Sequence, residues 1–286
     1  MRKKITPWIL IAGALILLFL NDIFPTIYAL YLSFFTYNLV SGAPPTFFHL
    51  NNYKNLLEDS DIISSLLRGV TFSILTTFFS VSIGLALAFL MYKEFKGNTF
   101  LRVVICLPLG LPYITIGSMW KLMCNPSIGI IPFLLKNFGI SYDISSNGVQ
   151  AFITTLFMDL WHWIPLTALI LLAALTSIPK HMLEAAEVDG ANMFQKLRYI
   201  YLPMISGDLL FAALIRFMDS LRIFDEVWML TGGGPGTSTR YMSIALYSIV
   251  LKRWDIGYGA AISMFFAYFI IFFSWITNKI LQVRRI

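Results

Sequence analysis

Six apolar runs, at roughly 7–35, 67–92, 100–124, 149–176, 204–230 and 257–282, dominate this chain. Each is long enough to cross a bilayer, which takes about 20 residues in helical form. In hydrocarbon the backbone must satisfy its own N–H and C=O groups, so runs of this length read as helices. Charged residues make up only 13% of the chain, where a soluble protein carries roughly 25%. The expected fold class is all-α: a polytopic membrane protein with six transmembrane helices in one membrane domain, residues 1–286. The fifth run stands apart, because it holds Asp208, Arg216, Asp219, Arg222, Asp225 and Glu226.

The net charge of +6 does not gather into a nucleic-acid-binding face. Arg2, Lys3 and Lys4 precede the first run. Lys93, Lys96 and Arg102 lie between the second and third, and Lys180, Lys196 and Arg198 between the fourth and fifth. Lys279, Arg284 and Arg285 close the chain. With six alternating spans all four segments fall on one side, and basic loops stay in the cytoplasm. Both termini and the segment 177–203 are therefore expected in the cytoplasm, with lipid as the surrounding partner. Arg240, Lys252 and Arg253 run against this pattern on the outer side. The apolar run after MRKK is longer than a secretory core and lacks a small-x-small site, so it reads as an uncleaved anchor.

The outer segments carry turn formers. Pro126, Gly129 and Gly139 bracket short apolar pieces near 125–148, which predicts a hairpin or a short interfacial helix. RYMSIALYSIVLKRW, from Arg240 to Trp254, has apolar residues at helical spacing and reads as a helix along the membrane surface. GGGPGTST lacks the lysine of a nucleotide-binding P-loop. The three histidines form no zinc pattern, Cys106 and Cys124 read as packing residues, and no hydrolase motif occurs. No enzyme activity, metal or cofactor is expected in this chain.

The polar segment EAAEVDGANMFQKLRYIYLP, Glu184 to Pro203, interrupts this apolar chain. Ser177 is expected to cap a short helix with Pro179 in its first turn. Met182, Ala185, Ala186 and Asp189 share one face, and Glu184 and Glu187 are expected in the early turns, where negative charge is favourable. Gly190 suits a left-handed helix end. A second helix is predicted from about Asn192 to Leu202, and Pro203 opens the fifth span.

Glu184-Ala185-Ala186, then Gly190, Ile200 and Leu202-Pro203, resembles the EAA signature of permeases of binding-protein-dependent ABC importers. WIPLTALILLAALTSIP, FDEVWMLTGGGP, YLSFFTY, NNYKNLL, LPLGLP and NPSIG resemble the sugar-permease branch. The resemblance implies the six-helix type I ABC importer permease fold and an inward-carried sugar. It also implies that the loop 177–203 couples the chain to a dimeric P-loop ATPase through Glu184, Ala185, Ala186, Glu187, Asp189 and Gly190. ATP and Mg would sit on that partner. The further partners implied are a second permease, in a heterodimer, and an extracytoplasmic solute-binding protein.

Asp159 lies 20 residues before Pro179, and Asp219 lies 16 residues after Pro203. At ~1.5 Å per residue both stand roughly 25–30 Å from the loop, at similar depth. Charges at that depth are functional or paired. Arg216, Asp219, Arg222, Asp225 and Glu226 are spaced to neutralise one another along one helix face. Acids, arginine and the aromatic Trp161 and Trp163 also suit a carbohydrate. Position by position, the resemblance implies substrate contacts at Tyr113, Asp159, His162, Trp163, Arg216, Asp219 and Ser220. Beside the sugar reading stand the same machinery carrying a polyol or glycerol phosphate and, from another class, an ion-driven secondary transporter whose warrant is the membrane carboxylates.

Overall fold

The computed structural model describes residues 11–93 and 95–283. Arg2, Lys3, Lys4, Arg284 and Arg285, used above for orientation, lie outside the described residues, as does the start of the first apolar run.

The chain opens with α1 (Ile11–Leu32). A two-residue antiparallel pairing follows, β1 (Phe35–Thr36) with β2 (Thr46–Phe47), then α2 (Asn51–Glu58) and α3 (Ser60–Tyr92). Next come α4 (Asn98–Gly110), α5 (Tyr113–Met123) and the short α6 (Ile130–Lys136). The long α7 (Gly148–Thr176) leads to α8 (Lys180–Val188), α9 (Met193–Met204), α10 (Ser206–Leu221) and α11 (Asp225–Thr231). The last two are α12 (Met242–Lys252) and α13 (Ile256–Val283). Among the described residues four helices are long and apolar enough to be continuous spans: α1, α3, α7 and α13. Two further pairs pass the same test only when taken together and are bent, α4–α5 by 98° and α9–α10 by 68°.

Proline chemistry makes both bends. In LPLGLP, Leu111 precedes Pro112 and takes the extended conformation (φ −93°, ψ 135°) that a residue before proline favours. Pro112 then starts α5. In α9 the helix widens into a π turn at Leu197–Tyr201, just before Pro203 removes a backbone donor, and the axis turns at Ile205.

The fifth apolar run departs from its expected bounds of 204–230. Helix α10 ends at Leu221, Arg222–Phe224 are irregular, and α11 restarts at Asp225. The acids Asp225 and Glu226 fall in the first turn of α11, where they complement the helix dipole. The short helix foreseen near 125–148 is α6. The helix foreseen after Arg240 is α12, but its Met242, Ile244, Ala245 and Ile249 are buried. That face packs on protein instead of on a membrane surface.

The chain forms two compact units. One comprises the described residues up to Ser64 together with Ala245–Phe269. Asn52 is its polar anchor: buried, it donates to the Ser33 and Phe35 carbonyls, both at 2.9 Å. Tyr258 donates its hydroxyl to Asp59 at 3.0 Å, tying α13 to the start of α3.

The other unit, Ser65–Ile244 with the residues from Ile270, holds the charged site. One apolar cluster packs around Phe72, Met158, Val227 and Tyr241. A second, around Leu171, Leu175, Tyr201 and Ile205, sits where α7 meets the α8–α9 loop. Asn147 starts α7 by accepting from the Val149 and Gln150 amides. Gly117 lets α5 and α11 touch. A Cβ there would lie 2.5 Å from the Glu226 carbonyl oxygen and 2.7 Å from Met229 Cβ. Gly117→Ala is expected to lose about 1–3 kcal/mol by overpacking. Gly69→Ala, in α3 with nothing within 4 Å, is expected to lose nothing. Thermal unfolding of both variants in detergent checks this.

Candidate functional site

The helix breaks converge on a cavity of about 210 Å³. Tyr113 enters it as the first residue of α5, immediately after the Pro112 turn. Asp159 and Trp163 enter from α7, one turn apart. Asp219 comes from the last turn of α10. Arg222, Ile223 and Phe224 of the break, with Asp225 and Glu226 of α11, complete the wall. Irregular backbone at membrane depth is tolerated where it lines a cavity, and this break does so.

Arg216 organises the site. It is 2% exposed, yet its Nη2 donates to Asp159 Oδ2 on α7 at 2.5 Å and its Nη1 to Asp219 Oδ2 at 3.1 Å. Its Nε has no partner among the described residues. The guanidinium also stands 5.4 Å from the centre of the Trp163 ring, a cation–π contact. A second buried pair lies alongside, His162 Nδ1 with Glu226 Oε2 at 3.3 Å. The Tyr113 ring packs edge-on to His162 at 5.2 Å and tilts against Trp163 at 6.1 Å.

Of the expected contact residues, Tyr113, Asp159, Trp163 and Asp219 line the cavity. Arg216 and His162 stand behind that wall and hold its carboxylates. Ser220 does not join them: it is buried, and its hydroxyl donates to the Phe217 carbonyl at 3.0 Å. The expected neutralisation along one helix face holds only for Arg216 with Asp219. Glu226 pairs with His162 instead, and Arg222 pairs with no acid among the described residues. The break between α10 and α11 removes the i, i+3 and i+4 geometry that such pairing needs. Phe224, stacked on Trp228 at 5.9 Å, carries no sequence signal that would mark it as a wall residue.

The loop between α7 and α10 is a second feature. Ser177 is not the cap expected of it: it ends α7 and donates its hydroxyl to the Ala174 carbonyl at 2.7 Å, while Pro179, in extended geometry, precedes α8. Glu184 lies mid-helix. Glu187 lies in the last turn of α8, not an early one, and Lys196 answers its charge at 2.7 Å. Ala185 and Ala186 receive the amides of Asp189 and Ala191. Gly190 takes φ 74°, the left-handed turn between the two helices. Asn192 and Gln195 form a capping box at the start of α9.

Residues 80–284 match the family model described as the binding-protein-dependent transport system inner membrane component. The chain is 32% identical over 240 residues to the trehalose/maltose transport system permease protein MalF of Thermococcus litoralis, covering 84% of this chain and 81% of that protein. It is 30% identical over 257 residues to the sulfoquinovosyl glycerol transport system permease protein SmoG of Agrobacterium fabrum, covering 90% and 83%. A chain from the crystal structure of a bacterial ABC transporter involved in import of the acidic polysaccharide alginate superposes with a TM-score of 0.83. Its identity is 20%, and coverage is 98% of this chain and 97% of that one. The all-α fold is that of a type I ABC importer permease.

Removing one partner from a buried ion pair strands the other charge. Arg216→Met is therefore expected to destabilise the protein by about 3–5 kcal/mol, and Arg216→Met with Asp159→Leu to recover most of that loss. Chemical denaturation of the single and double variants checks this.

Proposed function

Because the chain belongs to the family of binding-protein-dependent transport system inner membrane components, we propose that it is the membrane permease subunit of an ABC importer that carries a sugar inward. A dimeric P-loop ATPase on the cytoplasmic side supplies the energy and holds ATP and Mg. This chain holds no cofactor. A second, different permease completes the channel, and an extracytoplasmic solute-binding protein delivers the sugar. Both termini and the loop 177–203 face the cytoplasm of a prokaryotic inner membrane.

The observation that carries this reading is the form of the α8–α9 loop. Val188 is 88% exposed, Phe194 68% and Tyr199 71%. Apolar side chains gathered on a polar loop call for a partner surface. The Lys196–Glu187 pair spans the Gly190 turn and ties α8 to α9. A docked loop transmits rigid-body motion. Helix α7 runs unbroken from Asp159 to Thr176, so displacement of the loop reaches the cavity along one rod.

Within the cavity Asp219 and Asp225 would accept from sugar hydroxyls, Arg222 would donate, and Trp163 and Tyr113 would cover the apolar face of a ring. The relatives' names span trehalose, maltose and an acidic polysaccharide, so kinship leaves the charge of the cargo open.

Gentle detergent extraction of the native complex tests the proposal. A P-loop ATPase and a second EAA-bearing permease are expected to co-purify. A chain that comes out alone and transports in liposomes without ATP overturns it. Val188→Asp and Phe194→Asp, on the exposed loop, are each expected to weaken ATPase association and ATP-driven uptake by about tenfold or more with the fold intact. Pull-down and vesicle uptake measure the two effects.

A further inference from the structure

The charges around the cavity do not balance, and the imbalance points to a class of substrate. Four carboxylates belong to it, those of Asp159, Asp219, Asp225 and Glu226. Against them stand two guanidinium groups, Arg216 and Arg222. His162 can add one positive charge at most, and it is directed at Glu226. With all four carboxylates ionised, at least one negative charge is left over.

The two arginines differ in what they can offer. Both terminal nitrogens of Arg216 are held by carboxylates, and its one unpartnered nitrogen, Nε, is buried behind the cavity wall, so it offers no donor that an incoming anion can reach. Arg222 is exposed and faces the cavity, but it shares that wall with Asp219 and Asp225. An anion drawn to Arg222 meets carboxylates on the same surface. In surroundings poorer in water than bulk solvent such repulsion is strong, and the matching attraction for a cation is equally strong. The Trp163 and Tyr113 rings favour a cation for the same electrostatic reason.

We propose that this cavity selects sugars bearing an ammonium group over uncharged sugars and rejects acidic ones. The inference rests on the reading of the cavity as the sugar site. The ammonium lies against Asp219 and Asp225, the more accessible carboxylates, while ring hydroxyls take the donors of Arg222.

Equilibrium dialysis tests this on the purified importer complex in nanodiscs, with the solute-binding protein left out so that its own selectivity does not enter. The probes are radiolabelled glucosamine disaccharide, trehalose and digalacturonate. The amino disaccharide is expected to bind about tenfold or more tightly than trehalose, with no detectable binding of digalacturonate. Asp225→Asn, at an exposed position that does not threaten folding, is expected to shrink the preference, and Arg222→Gln to widen it. Digalacturonate binding as tightly as the amino sugar, or a preference unmoved by Asp225→Asn, overturns the proposal. Equal binding of trehalose and the amino sugar, lost in both cases on Trp163→Ala, removes the charge selection and leaves the cavity as the sugar site. Binding of no sugar, or binding indifferent to substitution at Trp163, Arg222 and Asp225, removes both.

Discussion

The buried bridge from Arg216 to Asp159 is the interaction on which the site depends. Its partners stand 57 residues apart in sequence, on α10 and α7, the helices that flank the α8–α9 loop. Taking a guanidinium and a carboxylate out of water is costly, and only mutual pairing with good hydrogen-bond geometry offsets it. Arg216 adds Asp219 as a second acceptor and the Trp163 ring as a third contact. This fixes the end of α10 against the middle of α7. The cavity wall follows from that fixation, because Asp159, Trp163 and Asp219 are the residues being held. A pair of apolar side chains would hold the helices as well, but would leave fewer polar groups facing the cavity.

The same bridge connects the cavity to the loop. Helix α7 arrives at the loop without a break, and Pro165, buried within it, does not end it. Helix α9 leaves the loop through the π turn before Pro203 and bends at Ile205. One side of the loop is thus a rod and the other a jointed arm. Arg216 joins the two arms at cavity level. Near the loop the aromatic contacts of Tyr201 with Phe89 at 5.1 Å and Tyr92 at 6.4 Å seat the jointed arm against α3.

What could be read from the sequence was whatever depends on spacing along one segment. The runs of α1, α3, α7 and α13 needed only length and hydropathy. Asp159 and Asp219 were set at one depth by counting rises from the loop, and Arg216 does contact both. The left-handed Gly190 followed from its place at a helix end. What could not be read depends on how segments meet. The break at Arg222–Phe224 contains neither Gly nor Pro, so nothing local announces it. Once it forms, Glu226 turns to His162 on another helix, and Arg222 is released from the pairing its spacing suggested. Ser177 carried two competing signals, a capping hydroxyl and a proline two residues on. The end of α7 claimed the hydroxyl for the Ala174 carbonyl. The Glu187–Lys196 pair spans Gly190 and depends on the turn made there.

The helix breaks explain why a charged cavity can exist in such an apolar chain. A straight helix of α10 and α11 would carry Arg216, Asp219, Arg222, Asp225 and Glu226 along neighbouring positions, where they would neutralise one another. The interruption at Arg222–Phe224 divides that row. Arg216 and Asp219 stay on α10, Glu226 is carried to His162, and Asp225 and Arg222 are left facing open space. The Pro112 turn does the same for α5, presenting Tyr113 at a helix start instead of burying it in mid-helix. Gly117, one turn further on, then lets α11 approach α5 closely. Discontinuous helices thus convert a self-neutralising stripe into a polar chamber with uncommitted groups. The continuous α7 supplies its fixed wall, and the breaks decide which charges face the open space.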